Sequence, residues 1–405
     1  MTVRAHPVGG KLLTPFVKFM LVLWALGTVA GLYRFTQGLG AATAMNDGYP
    51  WGIWIAVDVV VGTGLASGGY ALALVVFIFN HGRYHPLVRP ALLTSLLGYS
   101  VAGVAVFFDV GRYWNLWRVG VMPWSWNGTS VLLEVALCMM TYVAVIVVEL
   151  SPVLLEKLRE SRHAGVAGAA RRWLPRVERA LPFVIALGIV LPTMHQSSLG
   201  SLLLVAGTKL HPLWHTGLLP LLFLLTSFGM GYAILFFESI FSSVAFKRPI
   251  ESKMLGSLGT FVAGVVVAFV LVRFAGLMAE DKLALTVTGG PKAFFFWAEI
   301  LILLAAAYQF LQSSVRASAT HQLQAGLLAL AGGALYRLDT FLVAFDPGRG
   351  WHYFPSIGEI LVTLGLIATE TVVYVVAVRR FPVLGGVALP ATRPEPAGAR
   401  QGAVS

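Results

Sequence analysis

Several ionisable side chains in this sequence fall inside, or at the edge of, long apolar runs: Asp58, Tyr99, Asp109, Arg112, Glu134, His195 and Glu238. A charge in such a run is expensive, so these residues are functional candidates by default. Carboxyls, phenols and imidazoles are the groups that pass protons, and a few convergent donors beside apolar walls are what a small polar head group needs. Depth along the runs sorts them. Asp58, Asp109 and Arg112 gather towards one face, and Glu134 lies in the same half. Tyr99 and His195 are central, and Glu238 lies towards the opposite face. Glu299, Arg337, Asp339 and Glu359 share the half of Asp58, with Glu370 deeper and Glu149 at the opposite edge. The competing reading is structural pairing that holds helices together. Asp109 and Arg112, three apart, suit a local ion pair, whereas Arg337 and Asp339, two apart, do not face each other on a helix.

Metal and haem chemistry have little to work with. A membrane b-type haem takes two axial histidines, and of the nine histidines only His195 falls clearly within a span. His211 and His215 have the i,i+4 spacing of a metal pair but sit around the entry to a span. The single Cys138 excludes a cysteine-held cluster. The expectation is no haem, no iron–sulfur cluster and no metal site in this chain.

The elements that must carry these residues are membrane helices. Of 405 residues 57% are hydrophobic and 12% charged, and the mean hydropathy is +0.79. About 25% charge is usual for a soluble domain. Runs long enough to cross a hydrocarbon core of about 30 Å recur, and lipid forces them into helices. The fold class is therefore an all-α polytopic bundle, with spans at 14–33, 53–80, 91–111, 128–150, 181–206, 216–244, 255–277, 293–312, 323–345 and 357–378. Pro192 and the polar residues after it interrupt the fifth. Residues 1–380 form the helix bundle, and 381–405, rich in Pro, Ala, Gly and Arg, form a disordered tail. No cleavable signal is evident.

With the N-terminus inside, nineteen Lys and Arg fall in inside segments against seven in outside loops. That bias favours both termini in the cytoplasm. The net charge of +11 thus reads as topology and not as nucleic-acid binding. The segment 113–127 carries Trp114, Trp117, Trp124 and Trp126, and Trp51, Trp54, Trp214 and Trp351 lie near the same face. They suit an interfacial belt, and the dense loop also suits a docking platform. The run of small residues from Gly62 to Gly69 permits close helix contact.

The stretches PWGIWIAVD at 50–58, DVGRYW at 109–114 and PTMHQSSLG at 192–200 resemble the NrfD-like, polysulfide-reductase membrane subunit family. KLHPLWHT at 209–216 and the ten-span length resemble its hydrogenase branch. The resemblance covers roughly residues 14–380 and is specific as an ordered set. It implies the haem-free membrane subunit of a periplasmic NiFe hydrogenase in a bacterial inner membrane. Its implied partners are an iron–sulfur ferredoxin-like subunit and the hydrogenase large and small subunits. Its implied ligand is menaquinone or ubiquinone, with Asp58, Asp109, Arg112 and His195 at the quinone pocket. A proton path would use Tyr99, Glu134, His195 and Glu238. The alternatives are the quinone-binding subunit of another complex of this family, or a secondary transporter built around a broken span.

Overall fold

A computed structural model describes residues 6–250 and 252–384. Among the described residues ten helices are long and apolar enough to cross a membrane: α1 (Pro15–Gln37), α2 (Trp54–Ile78), α3 (Gly82–Asp109), α4 (Val131–Leu158), α5 (Ala164–Leu204), α6 (Leu219–Ala245), α7 (Ser252–Ala279), α8 (Pro291–Leu311), α9 (Ala319–Val343) and α10 (Ile357–Arg380). Each overlaps one of the ten runs found in the sequence. Most of the tail expected at 381–405 lies outside the described residues. Within it, Val383 and Leu384 are buried against Leu93, Val153 and Val378.

Helices α2 to α5 pack around one another, and α6 to α9 form a second set of four. The sets meet where α2 and α5 contact α6 and where α9 contacts α2. Helices α1 and α10 form a flanking pair that leans on α3. Gly27 makes that pair close, since a Cβ there would stand 2.7 Å from the Gly365 Cα. The segments before α1 and at the close of α10 meet at one end, where Val8 N and Gly9 N donate to Val378 O and Arg379 O. We call this the terminal end and the opposite one the distal end.

The small-residue run in α2 does bring helices together. A Cβ on Gly231 of α6 would meet the Ser67 backbone at 2.8 Å, and Gly69 N donates to Ser95 Oγ of α3 at 2.9 Å. Helix α2 is the most enclosed span, and its distal part, Trp54–Val61, is wound as a π-helix. Such segments recur at functional sites.

The interruption expected at Pro192 is absent. Helix α5 runs unbroken for 41 residues through Pro175, Pro182 and Pro192. At a rise of about 1.5 Å per residue it is twice the length a hydrocarbon core requires, so its arginine-rich first turns extend beyond the core. The Thr193 hydroxyl donates to Ile189 O at 2.6 Å, holding the turn at Pro192 together. Gly188, one turn before the proline, receives Glu149: a Cβ there would stand 2.2 Å from its Oε1. Glu149 is buried inside α4 and does not end it.

Candidate functional site

The distal cluster is built from α1, α2, α3, α10 and the segment before α10. A capping box starts α10: Ser356 caps Glu359 N, and the Glu359 carboxylate accepts from Ser356 N at 2.8 Å. The same carboxylate accepts from Ala44 N at 2.9 Å and from the Tyr353 phenol at 2.6 Å. Tyr353 Oη accepts in turn from Ile53 N at 2.8 Å. Burial, with the Glu359 carboxyl beside it, pushes the Tyr353 phenol up from its ordinary value, so it remains a donor.

Asp109 ends α3 on the other side of Gly52, whose amide donates to it at 3.5 Å. A Cβ on Gly52 would stand 2.6 Å from Glu359 Oε1, so only glycine leaves room for two carboxyls to approach this backbone. Arg34 lies close enough to offset part of the Asp109 charge. One turn deeper, Asp58 is buried and accepts from Thr363 Oγ1 at 2.7 Å. Trp54 closes the cluster, its Nε1 donating to Glu359 O at 3.2 Å. Beside it is an apolar cavity of about 290 Å³, lined by Leu26, Ala30, Tyr33, Trp54 and Leu361.

Arg112, assigned to this cluster from the sequence, does not join it. It is exposed beyond the end of α3 and forms no ion pair with Asp109. The cation present is Arg34, which the sequence places in a loop. It lies in the last turn of α1, 2% exposed, with Nε donating to Phe108 O at 2.7 Å and Nη2 to Val110 O at 2.8 Å. Four residues unassigned from the sequence thus shape the site: Arg34, Tyr353, Glu359 and Thr363. The signal available was Glu359 itself, a carboxyl in the first turn of an apolar helix after a serine cap.

A second centre lies mid-bundle. His195 is fully buried, its Nδ1 3.3 Å from Val135 O and its ring edge-on to Tyr99 at 5.4 Å. Its Nε2 has no partner. Gln196 Nε2 donates to Tyr99 Oη and to Thr63 Oγ1, both at 3.1 Å. Arg337 completes the centre, donating to Val60 O at 2.7 Å, Gln196 Oε1 at 2.8 Å and Phe223 O at 2.9 Å. His195 and Tyr99 therefore meet, but at a centre separate from Asp58 and Asp109.

Glu134 is not buried. It occupies the exposed first turn of α4, where a carboxylate suits the helix dipole. Glu238 lies near the terminal end of α6 and accepts from Tyr374 Oη of α10 at 2.8 Å. A cavity of about 50 Å³ beside it is lined by Glu238, Ser239, Ser242 and Ser243, with exposed Pro86 and Pro249 at the rim.

In the second helix set, Arg273 Nη2 pairs with Glu299 Oε1 at 3.2 Å, both essentially unexposed. Trp214 Nε1 donates to Glu299 Oε2 at 3.3 Å, and Asp339 lies beside Glu299. Trp54 and Trp214 are thus core residues and not belt residues. Trp114, Trp117, Trp124 and Trp126 are exposed at the distal end, at 59%, 59%, 77% and 37%.

The histidines do not fit a two-histidine haem, because His195 is the only buried one among the described residues. His211 and His215 lie in a turn and not on a helix face. The described residues hold no group of three or more His, Cys, Asp and Glu placed to bind a metal.

Residues 41–344 match the model of the polysulphide reductase NrfD family, and the chain belongs to that family. It is 40% identical, over 94% of its own length and 95% of the relative's, to the "Probable Ni/Fe-hydrogenase 2 b-type cytochrome subunit" of Escherichia coli (strain K12). It is 27% identical, over 46% of its length and 42% of the relative's, to the "Menaquinone reductase, integral membrane subunit" of Nitratidesulfovibrio vulgaris. It is 24% identical, over 67% of its length and 68% of the relative's, to a selenate reductase subunit of Mesobacillus selenatarsenatis. The chain is a multi-pass membrane protein of this family, similar to membrane subunits of oxidoreductase complexes.

Proposed function

We propose that this member of the NrfD family is the haem-free membrane subunit of a NiFe hydrogenase complex, and that it passes electrons from an iron–sulfur partner to or from menaquinone or ubiquinone. The reading is supported by the distal cluster of Asp58, Asp109, Glu359 and Tyr353 standing against an apolar cavity. Donors and proton partners there adjoin walls suited to an isoprenoid tail, at the small end of the usual size for a ligand pocket, roughly 300–1,000 Å³. The similarity to a hydrogenase 2 subunit supports hydrogenase as the class of partner. The complex sits in the bacterial inner membrane with both termini in the cytoplasm. The four exposed tryptophans of the distal loop dock the iron–sulfur subunit, which holds the hydrogenase large and small subunits on the periplasmic side.

Reducing a quinone takes two electrons and two protons. Hydrogen oxidation supplies the electrons, and its protons leave at the partner. The quinone's protons enter through this chain, with Glu238, a carboxyl of the path inferred from the sequence, at their point of entry. Arg112 and Glu134, both exposed distally, serve at the partner interface in this reading. The test is hydrogen-driven quinone reduction in membranes carrying Asp58→Asn. We expect at least a tenfold loss with hydrogen-to-dye activity retained. Wild-type quinone reduction in Asp58→Asn would end the proposal for this site.

A further inference from the structure

We propose that Glu370 is the relay carboxyl that joins the distal quinone site to the terminal-end cavity, giving protons a path along α10. The proposal rests on the quinone reading above. Helix α10 presents three polar side chains on one face. Thr363 holds Asp58 at 2.7 Å, and Tyr374 holds Glu238 at 2.8 Å. Glu370 lies between them, within electrostatic reach of both Asp58 and Glu238. At 3.6 residues per turn, seven residues from Thr363 and four from Tyr374 keep all three side chains on the same side, spread over about 16 Å of helix. Glu370 Oε1 faces Gly98 of α3, 3.6 Å from where a Cβ would stand, and Gly98 itself is required by Ala66 of α2, whose Cβ would be 2.6 Å away.

Both ends of this line are accounted for. At the terminal end, Glu238 lines the cavity whose serines and exposed rim admit water. At the distal end, Asp58 lies one turn below Glu359 and Asp109. Glu238 takes a proton from the cavity and passes one to Glu370. Glu370 passes one to Asp58, and Asp58 passes one to the reduced quinone. Each carboxyl releases one proton for each it receives, while the electrons arrive separately from the iron–sulfur partner. A path through Tyr99 and His195 meets Arg337 instead. That guanidinium is fully buried with no carboxylate at ion-pair distance among the described residues, and it repels a passing proton.

The experiment uses the whole complex in sealed membrane vesicles, with hydrogen as donor and a menaquinone analogue as acceptor. It compares Glu370→Gln and Glu370→Asp with Tyr99→Phe. The hydrogen-to-dye reaction bypasses this subunit, and the share of it retained in the washed vesicles reports assembly. We expect Glu370→Gln to lower quinone-linked turnover at least tenfold and to abolish its response to an uncoupler. Glu370→Asp, which keeps the exchangeable proton, restores a measurable part of both, and Tyr99→Phe keeps the uncoupler response. Wild-type turnover and uncoupler response in Glu370→Gln would overturn the relay, as would loss of the uncoupler response in Tyr99→Phe alone. If Glu370→Gln fails to assemble, Glu370→Asp decides: it must assemble and turn over more slowly than wild type, and wild-type behaviour there overturns the relay. Asp58→Asn separates the two readings, because unaltered quinone turnover in that variant removes the quinone site and not the relay alone.

Discussion

The Arg337 guanidinium donates to the Gln196 side-chain oxygen at 2.8 Å, while its other bonds go to two backbone carbonyls on different helices, Val60 O and Phe223 O. One side chain of α9 thereby ties α2, α5 and α6 at the seam between the two helix sets. The π-wound segment of α2 supplies one of these carbonyls. Arg337→Met would leave three buried acceptors unmatched, each costing about 1–3 kcal/mol. We expect the purified complex to unfold at a markedly lower temperature in detergent, with the subunit depleted from membranes. Arg337→Lys should be intermediate, since an ammonium lacks the fork that spans three acceptors. Equal melting of Arg337→Met and wild type would show that the seam does not depend on this residue.

Arg273 and Glu299 test a different kind of burial. Removing one partner of a buried ion pair costs about 3–5 kcal/mol, because the remaining charge is stranded. Arg273→Met should therefore be severe. One guanidinium faces the neighbouring carboxyls of Glu299 and Asp339, so the trio is neutral only with one proton on that carboxyl pair. Asp339→Asn keeps the trio neutral and should cost under about 1.5 kcal/mol, on the scale of one hydrogen bond. Thermal unfolding of the two variants side by side checks the order, and equal losses would refute the charge count.

These examples mark what could be read from the sequence. The ten spans were legible because each contains a run of apolar residues, a local property that tertiary contacts do not alter. The distal bias of Asp58, Asp109, Glu299, Asp339 and Glu359 was legible for the same reason, since depth follows from position along a helix. Partnership was not legible. Arg34 is bound by carbonyls 74 and 76 residues away, and Trp54 and Ala44 bond to Glu359 more than 300 residues away. Spacing along the chain suggested Arg112 for Asp109, but the chain turns outward after Asp109 and leaves Arg112 exposed. Glu134 counted as a buried carboxyl because α4 was placed by hydropathy, which is blind to the outward face of its first turn. Pro192 suggested a break, yet α5 continues through it.

The cofactor content has a direct readout. With one buried histidine, the isolated subunit should show no Soret band and no stoichiometric iron after purification from cells supplied with haem. A reduced-minus-oxidised spectrum of a b-type haem would require ligands other than a histidine pair and would revise the electron path.

Topology can be read with reporter fusions. An enzyme reporter joined after Ser405 should be active in the cytoplasm, and one inserted within 114–127 should be active outside. The reverse pattern would place the distal cluster and its tryptophans on the cytoplasmic side. A periplasmic hydrogenase would then have no route to the quinone cluster.

His195 and Asp58 should separate in their effects, because they occupy different centres. Asp58→Asn acts where the quinone head is proposed to bind and should raise KM for quinone as well as lower kcat. His195→Ala removes a buried ring packed on Tyr99 and leaves a cavity, so a stability loss of about 2–4 kcal/mol is expected from side-chain deletion alone. If His195 belongs to the quinone pocket, as the sequence suggested, its loss should also raise KM for quinone in the fraction that assembles. An unchanged KM, with less complex in the membrane, would assign His195 to the Arg337 centre only.

The apolar cavity between α1 and α10 offers the most selective probe of substrate. Its wall residue Ala30 is small and half-buried, and Trp54 at its base bonds to the Glu359 backbone. Ala30→Phe would fill much of the 290 Å³ without replacing a polar group of the cluster, although Arg34 also lines the cavity. If the cavity receives the first isoprene units of the quinone tail, the variant should raise KM for a long-tailed quinone by about tenfold, the equivalent of roughly 1.4 kcal/mol of lost binding. A short-chain analogue without those units should keep its wild-type KM, and kcat should change for neither, since the head group still reaches Asp58 and Tyr353. Equal effects on both quinones would mean that the introduced ring distorts the α1–α10 pair. No effect on either would mean that the cavity holds ordinary lipid and the tail leaves the cluster by another face.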